Sequence, residues 1–598
     1  MKQQPSKPLI NPFAAVPEDI LVLFFQYFTI RDLTSWGAVD RFNRSRVSTL
    51  GYDTYVSKHH SSSLRSSNLF PSRASWPSSK LARHLHLTSL HHRRRQFASL
   101  ALALPPISSS QAPKYASQAQ IKPLLAVGTR RIVAAGVGGR KGKIVIWDFE
   151  SDNLETKAFA ESELGEGWEV GFGEHIGTRI TLTVEDELKG GLLGNDLTGL
   201  AFYTGPALPH TESEEEDEGE DEPESRVVLT FGNGLVQIVR IPSKPSCSEF
   251  NLRSGRPSNE SSHTSKTSRK LAKARPTVPE SAIPKLKLLH TVPHPASPVQ
   301  SLLSTHSSLV TSLYSGLVSF YALSPLAPIV ESETSLSFGD SGHLLSVPDM
   351  TIKLSSKPWC THMCARSSTV AIGATSSSSP VSIYSISSST CAPLRTLLPP
   401  IPLTTRTSFP TPYSVSSLSP HDPDLLISAW SNPCSAVLLH DVRVASARPV
   451  AIFNDPLAEE SYYSCAGAED GRVVLGGQST LGRVGIWDVR MCGSGGQRKS
   501  PGWTVFVPGD QGGGKVGEIG SLEVRGGRVW GVTPARPFLL DFTPSPGLSS
   551  TISSLSLTGR LDSSLSLSSP REGRVENNQT VRWYEHDLDG TTSPRMMN

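Results

Sequence analysis

The chain has 598 residues, with 57 Lys plus Arg against 54 Asp plus Glu for a net charge of +3, 37% hydrophobic residues, 48 Gly and 46 Pro. That length accommodates several domains or one large domain with appendages, and the composition is that of a globular chain diluted by polar, turn-rich sequence. The overall charge says little, but residues 1–120 hold 15 Lys or Arg against 5 Asp or Glu, an excess read as a solvated basic surface rather than a nucleic-acid site.

The first predicted elements lie in "VPEDILVLFFQYFTIRDLTSWGAVDRF", residues 16–42. Ile20, Leu21, Phe24, Phe25 and Phe28 recur with helical period, so they form an apolar face rather than a rod, and the run is too short to span a bilayer. Pro17 suits a helix start, with Glu18 and Asp19 at the positive end of the helix dipole. Thr29 followed by Asp32 reads as the cap of a second helix carrying Leu33, Trp36 and Val39. So small a helical unit needs its apolar face covered, either by the rest of the chain or by another protein.

The order Val16-Pro17-Glu18-Asp19-Ile20-Leu21, Phe24-Phe25, Tyr27-Phe28, Arg31-Asp32-Leu33, Val39 and Arg41-Phe42 resembles the F-box over residues 12–56. It departs from that family at Val16, where Leu is usual, and at Asp40, where a small residue or Cys is common. The resemblance implies docking on the Skp adaptor of a cullin-RING ubiquitin ligase, through Pro17, Ile20, Leu21, Phe24, Phe25, Leu33 and Val39. A terminal helical hairpin packed on its own domain is the plainer alternative.

Residues 57–119 are rich in Ser, His and Arg, with one predicted helix near 79–104; His84, His86, His91 and His92 read as a basic, partly solvated helix rather than metal ligands. Beyond residue 120 the sequence repeats itself. "RRIVAAGVGGRKGKIVIWDFE" (130–150) is a strand, a Gly-rich turn and a second strand ending in Trp147-Asp148, and "GRVVLGGQSTLGRVGIWDVR" (471–490) repeats it, ending in Trp487-Asp488. Weaker copies begin near 226, 308, 369, 424 and 528, giving seven units. Short strands precede several of them, as at 197, 298, 413 and 518, and one outer strand more per unit completes a four-stranded propeller blade.

Two low-complexity stretches interrupt the period. The acidic "TESEEEDEGEDEPES" within 205–225 and a basic Ser/Pro-rich run at 242–284, with Lys266, Arg269, Lys270, Lys273 and Arg275, are expected to be solvated loops between strands. Residues 546–598 are expected to be a Ser-rich tail in which "QTVRWYEHDL" (579–588) has strand character. Residues 120–545 thus resemble the WD40-repeat family, with Trp147 and Trp487 serving inter-blade packing. The expected fold class is α+β multidomain: a small N-terminal helical domain, then an all-β, seven-bladed propeller.

No catalytic motif is present: there is no GxSxG elbow, P-loop, HExxH or kinase signature, and Gly512–Gly514 reads as a turn. Seven scattered cysteines argue for a reducing compartment, cytoplasmic or nuclear, and Cys360 with Cys364 lacks the second pair that zinc requires. No cofactor, metal or membrane partner is expected. The pairing resembles the F-box/WD-repeat substrate receptors of SCF ubiquitin ligases, which implies a non-catalytic subunit whose F-box binds the Skp adaptor and, through it, a cullin, while the propeller holds an unknown protein substrate. Two rivals stay open. Trp487-Asp488-Val489-Arg490 and His440-Asp441-Val442-Arg443 look like the WDxR pattern of receptors for the DDB adaptor of cullin-4 ligases, with Arg443 and Arg490 as the contacts; alternatively, the propeller is a scaffold without a ligase.

Overall fold

A computed structural model describes residues 16–59, 76–94, 97–101, 571–575 and 579–585, and most of 122–542 apart from its longer loops. The acidic (211–224) and basic (242–284) stretches lie outside the described residues, as do Gly512–Gly514.

The N-terminal unit is built from α1 (Glu18–Phe25), α2 (Ile30–Gly37), α3 (Arg41–Arg46), a π-turn (Val47–Gly51) and α4 (Tyr52–His59). Local chemistry sets each boundary. Pro17 is the N-cap of α1, and a reciprocal capping box opens α2, with the Thr29 amide donating to Asp32 Oδ2 at 2.8 Å and the Asp32 amide to Thr29 Oγ1 at 3.3 Å. Asp40 caps α3 by accepting from the Asn43 amide at 2.6 Å. The acid that departs from the F-box pattern therefore has a local structural task. Leu21, Phe25, Leu33, Val47, Tyr52, Tyr55 and Val56 form the core of the unit.

The 57–119 segment is more than a linker. Its helix α5 (Ser78–Arg94) stops ten residues short of the expected end, and Leu81 and Ala82 complete the helical core. Tyr55 OH and His86 Nδ1 are 3.0 Å apart, and the His92 ring stacks on Phe542 at 3.8 Å. The helix, expected to be basic and partly solvated, keeps His86, His91 and His92 half-buried and packs between the two domains. After it, β1 (Ala98–Ala101) pairs with the last propeller strand, so the propeller begins inside the segment expected to precede it.

Seven antiparallel sheets form the propeller, six of four strands and one of six. Blade 1 is β2 (Leu124–Val127), β3 (Arg131–Ala135), β4 (Lys143–Phe149) and β5 (Ile176–Thr183). Blade 2 is β6 (Leu197–Phe202), β7 (Arg226–Phe231), β8 (Val236–Arg240) and β9 (Lys287–Val292). Blade 3 comprises β10 (Val299–Ser304), β11 (Ser308–Leu313), β12 (Leu317–Ala322) and β13 (Met350–Lys353). Blade 4 comprises β14 (Pro358–Cys364), β15 (Thr369–Ala374), β16 (Val381–Ile386) and β17 (Cys391–Leu397). Blade 5 comprises β18 (Pro412–Ser419), β19 (Asp422–Trp430), β20 (Val437–Asp441) and β21 (Ala451–Phe453). Blade 6 holds β22 (Tyr462–Gly467), β23 (Val473–Gln478), β24 (Arg483–Asp488) and β25 (Gly502–Phe506), and blade 7 holds β26 (Ser521–Arg525), β27 (Arg528–Val532), β28 (Pro537–Asp541) and β1.

The first strands of successive blades contact one another in a closed cycle that returns from β26 to β2. Closure is made by β1, in register Ala98↔Asp541 through Ala101↔Phe538. Blade 6 is widened by two tail strands, β29 (Arg571–Val575) and β30 (Gln579–Glu585), the latter pairing with β25. Blades pack through apolar faces: Trp147 is buried among Trp530, Val532 and Leu539 of blade 7, and Trp487 among Val437, Leu439 and Phe453 of blade 5. Both tryptophans thus have the packing role expected of them.

Candidate functional site

Two surfaces follow from this architecture, one on each domain. On the helical unit, α1 carries apolar residues on two opposite sides. Leu21 and Phe25 are each 1% exposed, whereas Ile20, Leu23 and Phe24, at positions i, i+3 and i+4, are exposed, as is Tyr27 in the turn that follows the helix. Val39, in the turn before α3, is 69% exposed. Exposed large apolar groups recurring at helical spacing mark an interaction surface more than scattered single residues do.

The seven residues expected to dock an adaptor are therefore divided. Ile20, Phe24 and Val39 reach solvent, as does Pro17, while Leu21, Phe25 and Leu33 are core residues, Phe25 with its ring centroid 5.1 Å from that of Trp36. Leu23 and Tyr27 join the exposed side; Tyr27 stands in the F-box order without having been assigned to docking, and Leu23 was signalled only by its i+3 spacing from Ile20.

The propeller's second surface lies on the face carrying the turns from one blade to the next. There, β14, β18 and β22 each begin with an aromatic at the second position: Trp359, Tyr413 and Tyr463. Trp359 and Tyr413 meet edge to face with centroids 5.1 Å apart, and Tyr413 and Tyr463 do so at 4.7 Å. Trp359 Nε1 donates to Thr375 Oγ1 at 2.7 Å, which fixes the indole. Lys357 Nζ lies 3.7 Å from the Trp359 centroid and 4.5 Å from that of Tyr314, which sits in the β11–β12 turn. Burial lowers the Lys357 pKa.

The half-buried Trp359, Tyr413 and Tyr463 with the exposed Tyr314 make an arc around one lysine that crosses blades 3 to 6. Aromatic residues of this kind dominate the energetics of protein–protein contacts, and the ring quadrupoles hold a cation in place. Sequence reasoning found the strands but not the arc, because its members lie about 50 residues apart and meet only once the blades are stacked.

Arg443 and Arg490 lie on the opposite face, each just after the third strand of its blade. Both are engaged in the same way. Arg443 donates from Nε to Asp441 Oδ1 at 2.8 Å and from Nη2 to Asp441 Oδ2 at 2.9 Å, and Arg490 makes the equivalent pair with Asp488. The pairing holds the Asp441 carboxyl below the usual range. The helical unit sits on this same face, with Arg472 donating to the His59 carbonyl at 2.7 Å and His91 Nδ1 to the Phe542 carbonyl at 3.0 Å. Asp488 feels the charge of Arg93 from α5, so Arg490 is beside the helical unit, whereas the side chain of Arg443 is 56% exposed.

Among the described residues, no group of three or more His, Cys, Asp or Glu is placed to hold a metal ion, and no helix is long and apolar enough to cross a membrane. No family model matches the chain, and no curated protein matches it. Among solved structures the chain is similar to one in the "Crystal Structure of Mitotic Checkpoint Complex", at 12% identity and a TM-score of 0.41 over 74% of this chain and 98% of that one.

Proposed function

We propose that the chain is a non-catalytic substrate receptor of an SCF-type ubiquitin ligase, its helical unit docking on the Skp adaptor and its propeller holding the protein to be ubiquitinated. The observation that carries this reading is the second apolar side of α1. A helix whose core requirement is already met by Leu21 and Phe25 gains nothing within its own fold from leaving Leu23 and Phe24 each 53% exposed. The F-box resemblance names the partner for that side, and the aromatic arc on the far face of the propeller supplies a separate surface for substrate.

The test is co-purification of the Skp adaptor with the full chain and with the double variant L23D/F24D. Adaptor recovery lost from a variant with an unchanged melting temperature is the expected result. Undiminished recovery would refute the reading.

The repeated Asp-x-Arg clasp on adjacent blades favours one alternative, docking on the DDB adaptor of a cullin-4 ligase. In that case R443A/R490A abolishes recovery of the DDB adaptor while L23D/F24D does not affect it. On the SCF reading the arginine pair leaves Skp recovery unchanged.

A further inference from the structure

The outer strand of a propeller blade leaves a row of N–H and C=O groups unpaired, and proteins blunt such edges with charge, Pro or brevity. Six of the seven blades follow that rule. β5 carries Arg179, β9 carries Lys287 and His290, β13 carries Lys353, and β17 carries Pro393 and Arg395, while β21 and β1 are three and four residues long. β25 is the exception: its five residues, Gly502-Trp503-Thr504-Val505-Phe506, include neither a charge nor a Pro.

Among the described residues, that edge alone is covered by further strands. β30 pairs with it through Trp503↔Glu585, Thr504↔Tyr584 and Val505↔Trp583, and β29 pairs with β30 from Arg571↔Trp583 to Val575↔Gln579. The unblunted strand and the added hairpin thus coincide, although the chain passes through three strands of blade 7 between them.

The edge is held in place without the hairpin. On its inner side β25 makes five residue pairs with β24, from Arg483↔Phe506 to Trp487↔Gly502. Trp503 is buried, with its ring centroid 5.4 Å from that of Phe97 and 6.2 Å from that of Phe542, and Thr504 Oγ1 donates to Asp455 Oδ2 at 3.0 Å. The hairpin, by contrast, is attached through three residue pairs, and an isolated two-stranded hairpin has little stability of its own in water. Residues 543–570 tether it to blade 7. A tether that spans the gap gives an effective concentration on the order of 1 mM, which fills the edge within its own chain even where the pairing is weak.

We propose that the outer edge of blade 6 is a strand-binding site and that the tail hairpin is its built-in ligand, docking reversibly on a ring that β1 has already closed and keeping other extended chains off the edge. The ligand class is an extended segment that pairs antiparallel through its backbone, supplied here in cis by residues 579–585. This assignment does not depend on which adaptor the helical unit docks.

The test lets the full chain fold before the tether is cut, at a specific protease site inserted after Ser549. The tail fragment is then expected to leave on dilution, and a fluorescent peptide of residues 571–588 to bind in its place with a saturable rise in anisotropy. The uncut chain, whose edge is filled, should bind that peptide about tenfold or more weakly. The W583P/Y584P peptide, which lacks backbone donors on both sides of the strand, should not bind. No binding to the cut chain, equal binding to cut and uncut chains, undiminished binding of the W583P/Y584P peptide, or a fragment that survives both dilution and excess peptide would each overturn the proposal.

Discussion

Single side chains show where the repeat departs from its own pattern and what the departure costs. His440 stands in blade 5 where Trp147 and Trp487 stand in blades 1 and 6, 1% exposed, with Nε2 3.2 Å from the Leu398 carbonyl and Nδ1 without a partner among the described residues. Burial pushes its pKa from 6.5 down to about 4, so the folded chain holds it neutral. Between those values the unfolded state binds the extra proton, and stability must fall as pH falls from about 6.5 to 4. The loss attributable to His440 is at most about 3 kcal/mol. Melting temperature followed against pH should show it, and H440Q should flatten the curve; an identical slope in the variant would assign the effect to other groups. Gly467 is a second such position, because a Cβ there would lie 1.9 Å from the Leu418 carbonyl oxygen of the neighbouring blade. G467A is therefore expected to destabilise by about 2 kcal/mol or more through forced backbone movement, measurable as a lowered urea midpoint. The Trp-Asp ends were legible in the sequence, but the fate of the histidine was not. Its burial depends on the edge of blade 4, whose strand β17 begins back at Cys391.

At the scale of elements, periodicity located α1 and the seven strand pairs but could not orient the helix. Apolar residues at 20, 21, 23, 24 and 25 satisfy two helix faces at once, and only packing against α2, the π-turn and α4 decides that 21 and 25 turn inward. Charged replacements at those two sites thus report on folding, not docking. L21D/F25D should lose the helical unit's cooperative structure, since burying each Leu or Phe contributes roughly 1.5 to 3 kcal/mol and an unpaired buried carboxylate adds to the loss. L23D/F24D should keep it, and circular dichroism of the two variants separates the cases. The outer strands were the least legible elements. β1 is four residues long, lies in a segment whose composition reads as a linker, and pairs with a strand that the chain reaches only at residue 537. Its partner's edge is visible only in three dimensions.

For the whole molecule, the two candidate surfaces lie on opposite domains and faces, so their perturbations should be independent. W359A/Y413A is expected to abolish capture of substrate while leaving adaptor recovery at the parental level, and L23D/F24D the reverse; loss of both by either pair would mean that one surface serves both roles. A chain beginning at residue 96 keeps β1 and should lose only the contacts that α4 and α5 make to Arg472 and Phe542. One beginning at residue 102 leaves the β28 edge unpaired and is expected to melt lower and to aggregate, as unprotected strand edges do. The same joint sets a timetable for synthesis. Because Ala98 must wait for Asp541, the ring stays open for roughly 20 to 90 seconds of translation at ordinary elongation rates. The residues of the helical core have all left the ribosome long before that interval ends. On the proposed reading, the surface offered to an adaptor is therefore made well before the one offered to a substrate.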